Sequence, residues 1–463
     1  MDFLSIDRYI DDNIDSMLKD LGELIKIPSK RGEPCDDMPF GKECADVIKM
    51  AQEQAEKIGL KTINHENYML ECNYNDSDTE LGVIAHLDVV PEGSGWTYEP
   101  FKLSVVGNKA IGRGTIDDKG PAEAVLYAVK ALAENKVKLS KNVRILLGAA
   151  EETGMEDLEY YREKVGFPPI MLSPDAAFPV INVEKGLCQL EFSGDITKET
   201  YQRYIKSFKS GSVVNAVPDN ASAEVIGVSK QEADKLITGE NTTLKISVSD
   251  ISGGVLIKAE GKSAHASTPE LGDNALTGLV KVLTELRLDG KIAKILTGLY
   301  ELFPYNEGNG EHFGLKISDN KSGPLTMVLS LLNADDEMIS GGIDIRFPAT
   351  VPLCEIKKTV SSRILPMGLQ ISYTHALEGH IVDDNEPFIK TLLSAYTEVT
   401  GNEGICLSEG GATYLHTVNG GVAFGAEMPG EITNMHGANE QISIDTLKAI
   451  SKIYARAIYN ICR

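Results

Sequence analysis

The chain has 463 residues, 42% of them hydrophobic and 24% charged, with a formal net charge of −23. That length exceeds one ordinary core, so two domains are expected, and the acid excess argues against a nucleic-acid or anionic-membrane partner. Seven cysteines without a CxxC pair argue against a disulfide framework. No apolar stretch approaches the ~20 residues of a membrane span. The acidic stretch Met1 to Asp20 lacks the apolar segment of a secretory signal. The expected compartment is a reducing cytoplasm.

Residues 5–28 carry apolar positions at helical spacing and end at Pro28, and a second helix is expected at 41–58, stopped by Gly59. Residues 81–85 are a short apolar run, read as a central strand, with His86 and Asp88 directly after it. A strand and turn follow at 100–113. After Lys119-Gly120, Pro121 suits the first turn of a helix running to about 133. The run 143–150 predicts the next strand, which ends in Glu151-Glu152; 156–164 predicts a helix, and 169–174 delivers Asp175. Strand and helix alternate here as in an α/β three-layer core with a mostly parallel sheet. Such sheets bind ligands at the carboxyl ends of their strands.

The pattern changes in the middle of the chain. Strands are expected at 187–194, 243–249, 254–260, 325–333 and 339–345, with helices within 222–239 and near 273–288. Gly- and Asp-rich turns between the strands suggest antiparallel pairing and an inserted α+β domain. Residues 289–324 are weakly patterned. From 385 onward the α/β pattern returns, with helices at 386–399 and 445–460, a strand at 422–426, and a helix opened by Gly410-Gly411-Ala412-Thr413. The expected division is 1–183 and 382–463 for a discontinuous catalytic domain, and 184–381 for the inserted lid.

Metal-ligand residue types therefore gather next to predicted strands: His86, Asp117 and Asp118, Glu151 and Glu152, Asp175, and the later His436. Alone, a Glu-Glu pair reads as solvent-facing, an Asp-Asp-Lys as a turn and a single histidine as an ordinary surface or core group. Acids and imidazoles together, with a glutamate to spare, are what a two-metal hydrolase needs. Asp88, two residues from His86 on an extended chain, faces the same way and can hold its ring tautomer. Asp118 suits the cap of the following helix.

Five motifs in order resemble the M20 metallopeptidases. They are His86-Leu87-Asp88, Gly112-Arg113-Gly114-Thr115-Ile116-Asp117-Asp118-Lys119-Gly120, Glu151-Glu152-Thr153-Gly154, Ser173-Pro174-Asp175-Ala176 and His436-Gly437-Ala438-Asn439-Glu440. The match is strongest to the PepV-like dipeptidases, the carnosinase-type enzymes of bacteria, and runs over essentially the whole chain. The resemblance implies two divalent cations, Zn by default with Mn or Co as alternatives. Asp117, two residues before Lys119 in the Asp-x-Lys-Gly pattern, would bridge them. His86 and Asp175 would complete one site, and Glu152 and His436 the other. Glu151 would be the general base, Asp88 would support His86, and the Asp117–Asp118 peptide would be cis.

The inserted domain carries further resemblances. His265, in Gly261-Lys-Ser-Ala-His265-Ala-Ser267, resembles the lid histidine that stabilises the oxyanion. The long lid implies that it acts in cis, which makes a monomer sufficient without forbidding a homodimer. Arg346 resembles the arginine that grips a substrate's C-terminal carboxylate, Asn215 the substrate-contacting asparagine, and Gly410-Gly411 the glycine pair lining the pocket. The implied activity is a dinuclear dipeptidase on short peptides, of the Xaa-His or β-Ala-His type. Two other readings stay open: an amidohydrolase of N-acyl amino acids, and an inactive binding protein of the same fold.

Overall fold

The computed structural model describes residues 3–196, 201–239 and 243–463. They divide into two compact units. The first joins 1–182, 381–407 and 412–463; the second joins 183–380 and 408–411. Ser408–Gly411 thus group with the second unit, although they lie in the chain's late α/β stretch.

The first unit is α/β. Its sheet orders the strands Lys61–His65, Met69–Asn73, Asn142–Gly148, Thr79–His86, Ile170–Ser173 and Gly421–Ala423. The last four run parallel, and the first two add antiparallel neighbours at one side. Successive residues of the buried strands serve opposite faces. Val83, Ala85, Ile145, Leu147 and Leu172 join a large core with the helices Ile14–Ile25, Lys42–Ile58, Lys119–Glu134 and Ile444–Cys462. Ile84, Leu146 and Met171 face the other way, onto Leu158 and Tyr161 of the helix Glu156–Lys164 and onto Tyr414 and Leu415. The layers are therefore unequal, thick with helices on one side and thin on the other.

The second unit is α+β. Eight strands pair antiparallel throughout, in the order Lys245–Ile251, Gly254–Glu260, Asn220–Ile226, Tyr204–Ser210, Thr326–Ala334, Met338–Phe347, Gly186–Asp195 and Gln370–Leu377. Val255, Ile257 and Ala259 alternate with less buried neighbours along their strand, and pack with the helices Ala275–Glu285 and Lys291–Leu302 in one core.

Three local expectations need correction. The first helix is two, Leu4–Asp12 and Ile14–Ile25, because Asn13 turns its side-chain amide back onto the Tyr9 carbonyl at 2.8 Å. Residues 410–413 open no long helix, although the Thr413 hydroxyl caps a short turn by accepting the Leu415 amide at 3.1 Å. Only the short turn Tyr414–Thr417 follows, because Tyr414 and Leu415 are drawn into the core and the chain enters the strand Gly421–Ala423 within a few residues. The weakly patterned stretch after 289 holds the helix Lys291–Leu302, whose signal was the spacing of Ile292, Ile295, Leu296, Leu299 and Leu302. All seven cysteines are free thiols. Among the described residues no helix is long and apolar enough to cross a membrane.

Candidate metal centre

Three parallel strands deliver their next residues to one place. His86 ends Thr79–His86, the turn Glu151–Thr153 follows Asn142–Gly148, and Asp175 comes two residues after Ile170–Ser173. Asp117 arrives from the loop before the helix Lys119–Glu134, and the Asp117–Asp118 peptide is cis. His436 arrives from a late loop, with a left-handed backbone at φ 59°.

Asp117 stands at the middle. Its Oδ1 lies 2.8 Å from His86 Nε2 and its Oδ2 lies 2.7 Å from His436 Nε2. Each imidazole faces a second carboxylate. Asp175 Oδ2 is 3.7 Å from His86 Nε2, and Glu152 Oε1 is 3.4 Å from His436 Nε2. His86 is fully buried, whereas His436 is open to solvent on one side.

Two sets of donor atoms are each compact enough to surround a cation: His86, Asp117 and Glu152, and His86, Asp118 and Asp175. Asp118 therefore belongs to the cluster. Its carboxylate makes no cap bond to the following helix; Oδ2 accepts the His86 amide at 3.3 Å, and Oδ1 is buried without a hydrogen-bond partner. Glu152 Oε1 is likewise buried without a hydrogen bond. Unpartnered buried carboxylate oxygens beside two inward imidazoles fit hard, oxygen- and nitrogen-seeking divalent cations.

The electrostatics of the metal-free cluster show the same strain. Burial would lower the His86 pKa, but Asp175, Asp117 and Asp88 raise it well above the usual imidazole value. The Asp117 carboxylate, then that of Glu152, raises His436 to about 11. Burial pushes Asp117 upward, but the two imidazoles prevail and hold it below the ordinary carboxylate range. Burial, then the charge of Asp117, lifts Glu152 to about 7. Burial, then the charge of Asp175, raises Glu151 well above the usual value. Divalent cations held among these carboxylates would oppose the protonated forms that burial and mutual repulsion favour.

Asp88 meets His86 through two atoms, and its carboxylate serves a second group. The shortest contact of His86 Nδ1 is the backbone carbonyl of Asp88 at 3.0 Å, with the carboxylate Oδ1 at 3.4 Å. The Asp88 carboxylate also accepts the amides of Glu151 at 3.2 Å and Glu152 at 3.1 Å. It thus ties the first imidazole to the turn that carries both glutamates.

Two partners escaped the sequence reading. Glu440 Oε1 accepts the amides of Gly114, Ile116 and Asp117 at 3.0, 3.1 and 3.4 Å. Its Oε2 meets Arg113 Nη1 at 2.5 Å, and Arg113 Nη2 reaches the His436 carbonyl at 3.3 Å. This buried pair joins the Asp117 loop to the His436 loop. The only signal for it was an acid inside the His436 motif and a base inside the Asp117 motif. Glu440→Ala leaves Arg113 charged and unpaired, so a loss of about 3–5 kcal/mol is expected. The sole tryptophan, Trp96, lies 5.4 Å from the Arg113 guanidinium and reports it by fluorescence in urea. A loss under about 1 kcal/mol, the size of an exposed pair, would contradict this account.

The second unit gathers the other predicted residues. Asn215 O accepts the Ala266 amide at 2.9 Å, and His265 Nδ1 lies 2.6 Å from Ser267 Oγ. Gly410 packs on the same loop, where a Cβ would stand 2.8 Å from the Ser267 Cβ. The Gly410 carbonyl accepts Arg346 Nη1 at 2.7 Å. Arg346 is buried, and Asp344 receives its Nε and Nη2 at 2.7 and 3.0 Å. Asn215, His265, Gly410 and Arg346 thus form one continuous string of contacts, with Gly411 adjoining.

Residues 82–460 match the peptidase family M20/M25/M40. The chain belongs to that family. It is 32% identical over 459 residues to the Beta-Ala-Xaa dipeptidase of Lactobacillus delbrueckii subsp. lactis, covering 97% of this chain and 96% of that one. Its fold is similar to human carnosine dipeptidase 1, with a TM-score of 0.64 at 15% identity, over 100% of this chain and 99% of that one. It is also similar to the aminoacylhistidine dipeptidase of Vibrio alginolyticus, with a TM-score of 0.59 at 13% identity, over 96% of both chains. This M20 chain is therefore an enzyme of the metallopeptidase class with dipeptidases among its relatives.

Proposed function

We propose that the protein is a dinuclear metal-dependent dipeptidase that cleaves short peptides carrying a free C-terminal carboxylate. The observation that carries this reading is the pair of distances from the two Asp117 oxygens to two different imidazoles, 2.8 and 2.7 Å. A carboxylate so placed has one oxygen for each of two sites. In this reading His86 and Asp175 complete one, and Glu152 and His436 the other. Two divalent cations bound there supply Lewis acidity toward the amide carbonyl and toward water. Zn is the first choice, and Mn and Co suit the same ligands.

Glu151 takes the proton from the attacking water and delivers it to the leaving amine. Its backbone is fixed by Asp88, and it is free of ligand duty. His265 is the donor to the developing oxyanion, supplied in cis, so that one chain suffices. Asn215, Gly410 and Gly411 line the substrate pocket. The Beta-Ala-Xaa dipeptidase similarity supports dipeptides, the β-Ala-His type included, as the first substrates to test. The cytoplasm is the proposed compartment.

Arg346 is the proposed anchor of the substrate carboxylate. Asp344 occupies the edge formed by Nε and Nη2, and Gly410 takes one Nη1 proton. Of five guanidinium N–H groups, two then remain for a ligand. Arg346→Ala is expected to raise KM for free dipeptides about 10–100-fold, the worth of charged hydrogen bonds. C-terminally amidated dipeptides should change little. Equal losses on both substrates would refute the anchor.

The test of the function is to reload stripped protein with Zn, Mn or Co in turn. β-Ala-His, Leu-Leu, Leu-Leu-Leu, and N-acetyl and N-succinyl amino acids are the substrates. Hydrolysis of dipeptides is expected. Hydrolysis of the acylated amino acids alone would make the protein an amidohydrolase.

A further inference from the structure

We infer that Asp157 and Tyr414 are a positioning pair for the turn that carries Glu151 and Glu152, an inference that rests on the proposed role of Glu151 as base. Four successive amides lead into and through that turn, and all four donate to buried carboxylates. Ala149 and Ala150 donate to Asp157 Oδ2 at 2.8 and 2.9 Å. Glu151 and Glu152 donate to Asp88 at 3.2 and 3.1 Å. Asp88 belongs to the His86 motif, but Asp157 lies outside every motif that suggested the site.

Asp157 is fully buried at the start of the helix Glu156–Lys164. Its Oδ1 accepts the Leu158 amide at 2.7 Å. Its Oδ2, already holding two amides, also accepts the hydroxyl of Tyr414 at 2.5 Å. Tyr414 is fully buried too, and comes from a segment 257 residues away in the chain. Its ring stands edge-on to His86, with centroids 6.4 Å apart at 82°. One side chain therefore touches the ligand imidazole with its ring and holds the glutamate turn through its hydroxyl.

Gly148 makes this possible. A Cβ there would lie 2.3 Å from the Tyr414 oxygen and 2.4 Å from Asp157 Oδ2, so any other residue would expel one or both. The strand thus ends in a glycine where two polar side chains come in beneath the turn. A buried carboxylate with four donors is rigid, and rigidity is what a base needs when displacements near 1 Å alter rates ~10²-fold.

Tyr414→Phe keeps the ring and removes the hydroxyl. With the Zn-loaded protein and a dipeptide, kcat is expected to fall about 10–100-fold. KM should stay within about twofold, and metal content and Tm should remain near those of the parent protein. Gly148→Ala, which displaces both partners, should show the same split between kcat and KM. Unchanged kcat in both variants overturns the inference. So does a fall in kcat that merely follows lost metal or lost folded protein, since a purely structural role predicts that. Glu151→Gln is measured alongside. If it turns over like the parent, the base assignment falls and takes this inference with it. If it is inactive while Tyr414→Phe is fully active, the positioning inference alone falls.

Discussion

Replacing Glu151 with glutamine is expected to lower kcat by about 10²–10⁴-fold, the range for loss of a general acid–base group. The substitution keeps the shape and the backbone bond to Asp88 but removes the ability to take a proton. Glu151 is assigned no ligand role in the proposed centre, so both cations should remain. Its raised pKa in the metal-free cluster arises first from burial and then from the charge of Asp175. Cations bound at Asp175 and Asp117 would oppose that second cause and return the side chain toward the ionised form a base requires. Metal analysis beside steady-state kinetics separates the roles. Loss of one metal equivalent in Glu151→Gln would make Glu151 a ligand and leave the base unassigned.

Stripping the metals is expected to abolish turnover, and reloading them to release protons. The sign follows from the cluster. His436, with its pKa near 11, and His86, also raised, are protonated at pH 7 when no cation is present. Each must lose its proton to become a ligand, so uptake should expel about two protons, one from each imidazole. Glu152, near 7, adds a fraction more. Affinity should then tighten with rising pH, about 100-fold per unit for two protons, through the range below the raised histidine values. Titrations of metal into stripped protein, in buffers of different ionisation enthalpy, count the protons directly. No release at pH 7 would mean that both imidazoles are already neutral before the metal binds, against the raised values.

How much of this was legible before the structure depends on the kind of signal. His86, Glu152 and Asp175 follow apolar runs, so strand prediction placed them at one edge of a sheet without knowledge of the fold. Asp117 and His436 lie in loops, where only motif spacing spoke for them, and the structure sets Asp117 against both imidazoles. Asp118 looked like a helix cap because its place just before a helix is all that local sequence shows, whereas its carboxylate meets the His86 amide of a distant strand. Asp157 and Tyr414 were illegible, and Glu440 was marked only by its place in a motif, for a simpler reason. Their importance lies in what they touch across long separations, and a buried tyrosine or acid leaves no periodic trace. In the second unit, Arg346 was marked only by resemblance. Its burial against Asp344, two residues along the same strand, emerges only when one sees which partner that arginine has chosen.

The division of the first unit among three stretches of chain has a consequence for how the protein is made. Lys452 and Arg456 of the last helix pair with Asp11 and Asp7 of the first, and Ser451 bonds to the Ala124 carbonyl. The earliest-made helices therefore wait for the latest. From His86 to His436 there are 350 residues, about 20–70 s of synthesis at ~5–20 residues per second. Meanwhile the second unit, contiguous from 183 to 380 except for four residues, leaves the ribosome nearly whole. During translation the nascent protein thus carries a nearly complete second unit while the first is unfinished, with apolar strand faces uncovered. Chaperone demand should peak in that interval, and a truncated product ending before residue 436 should aggregate rather than persist as a weaker enzyme.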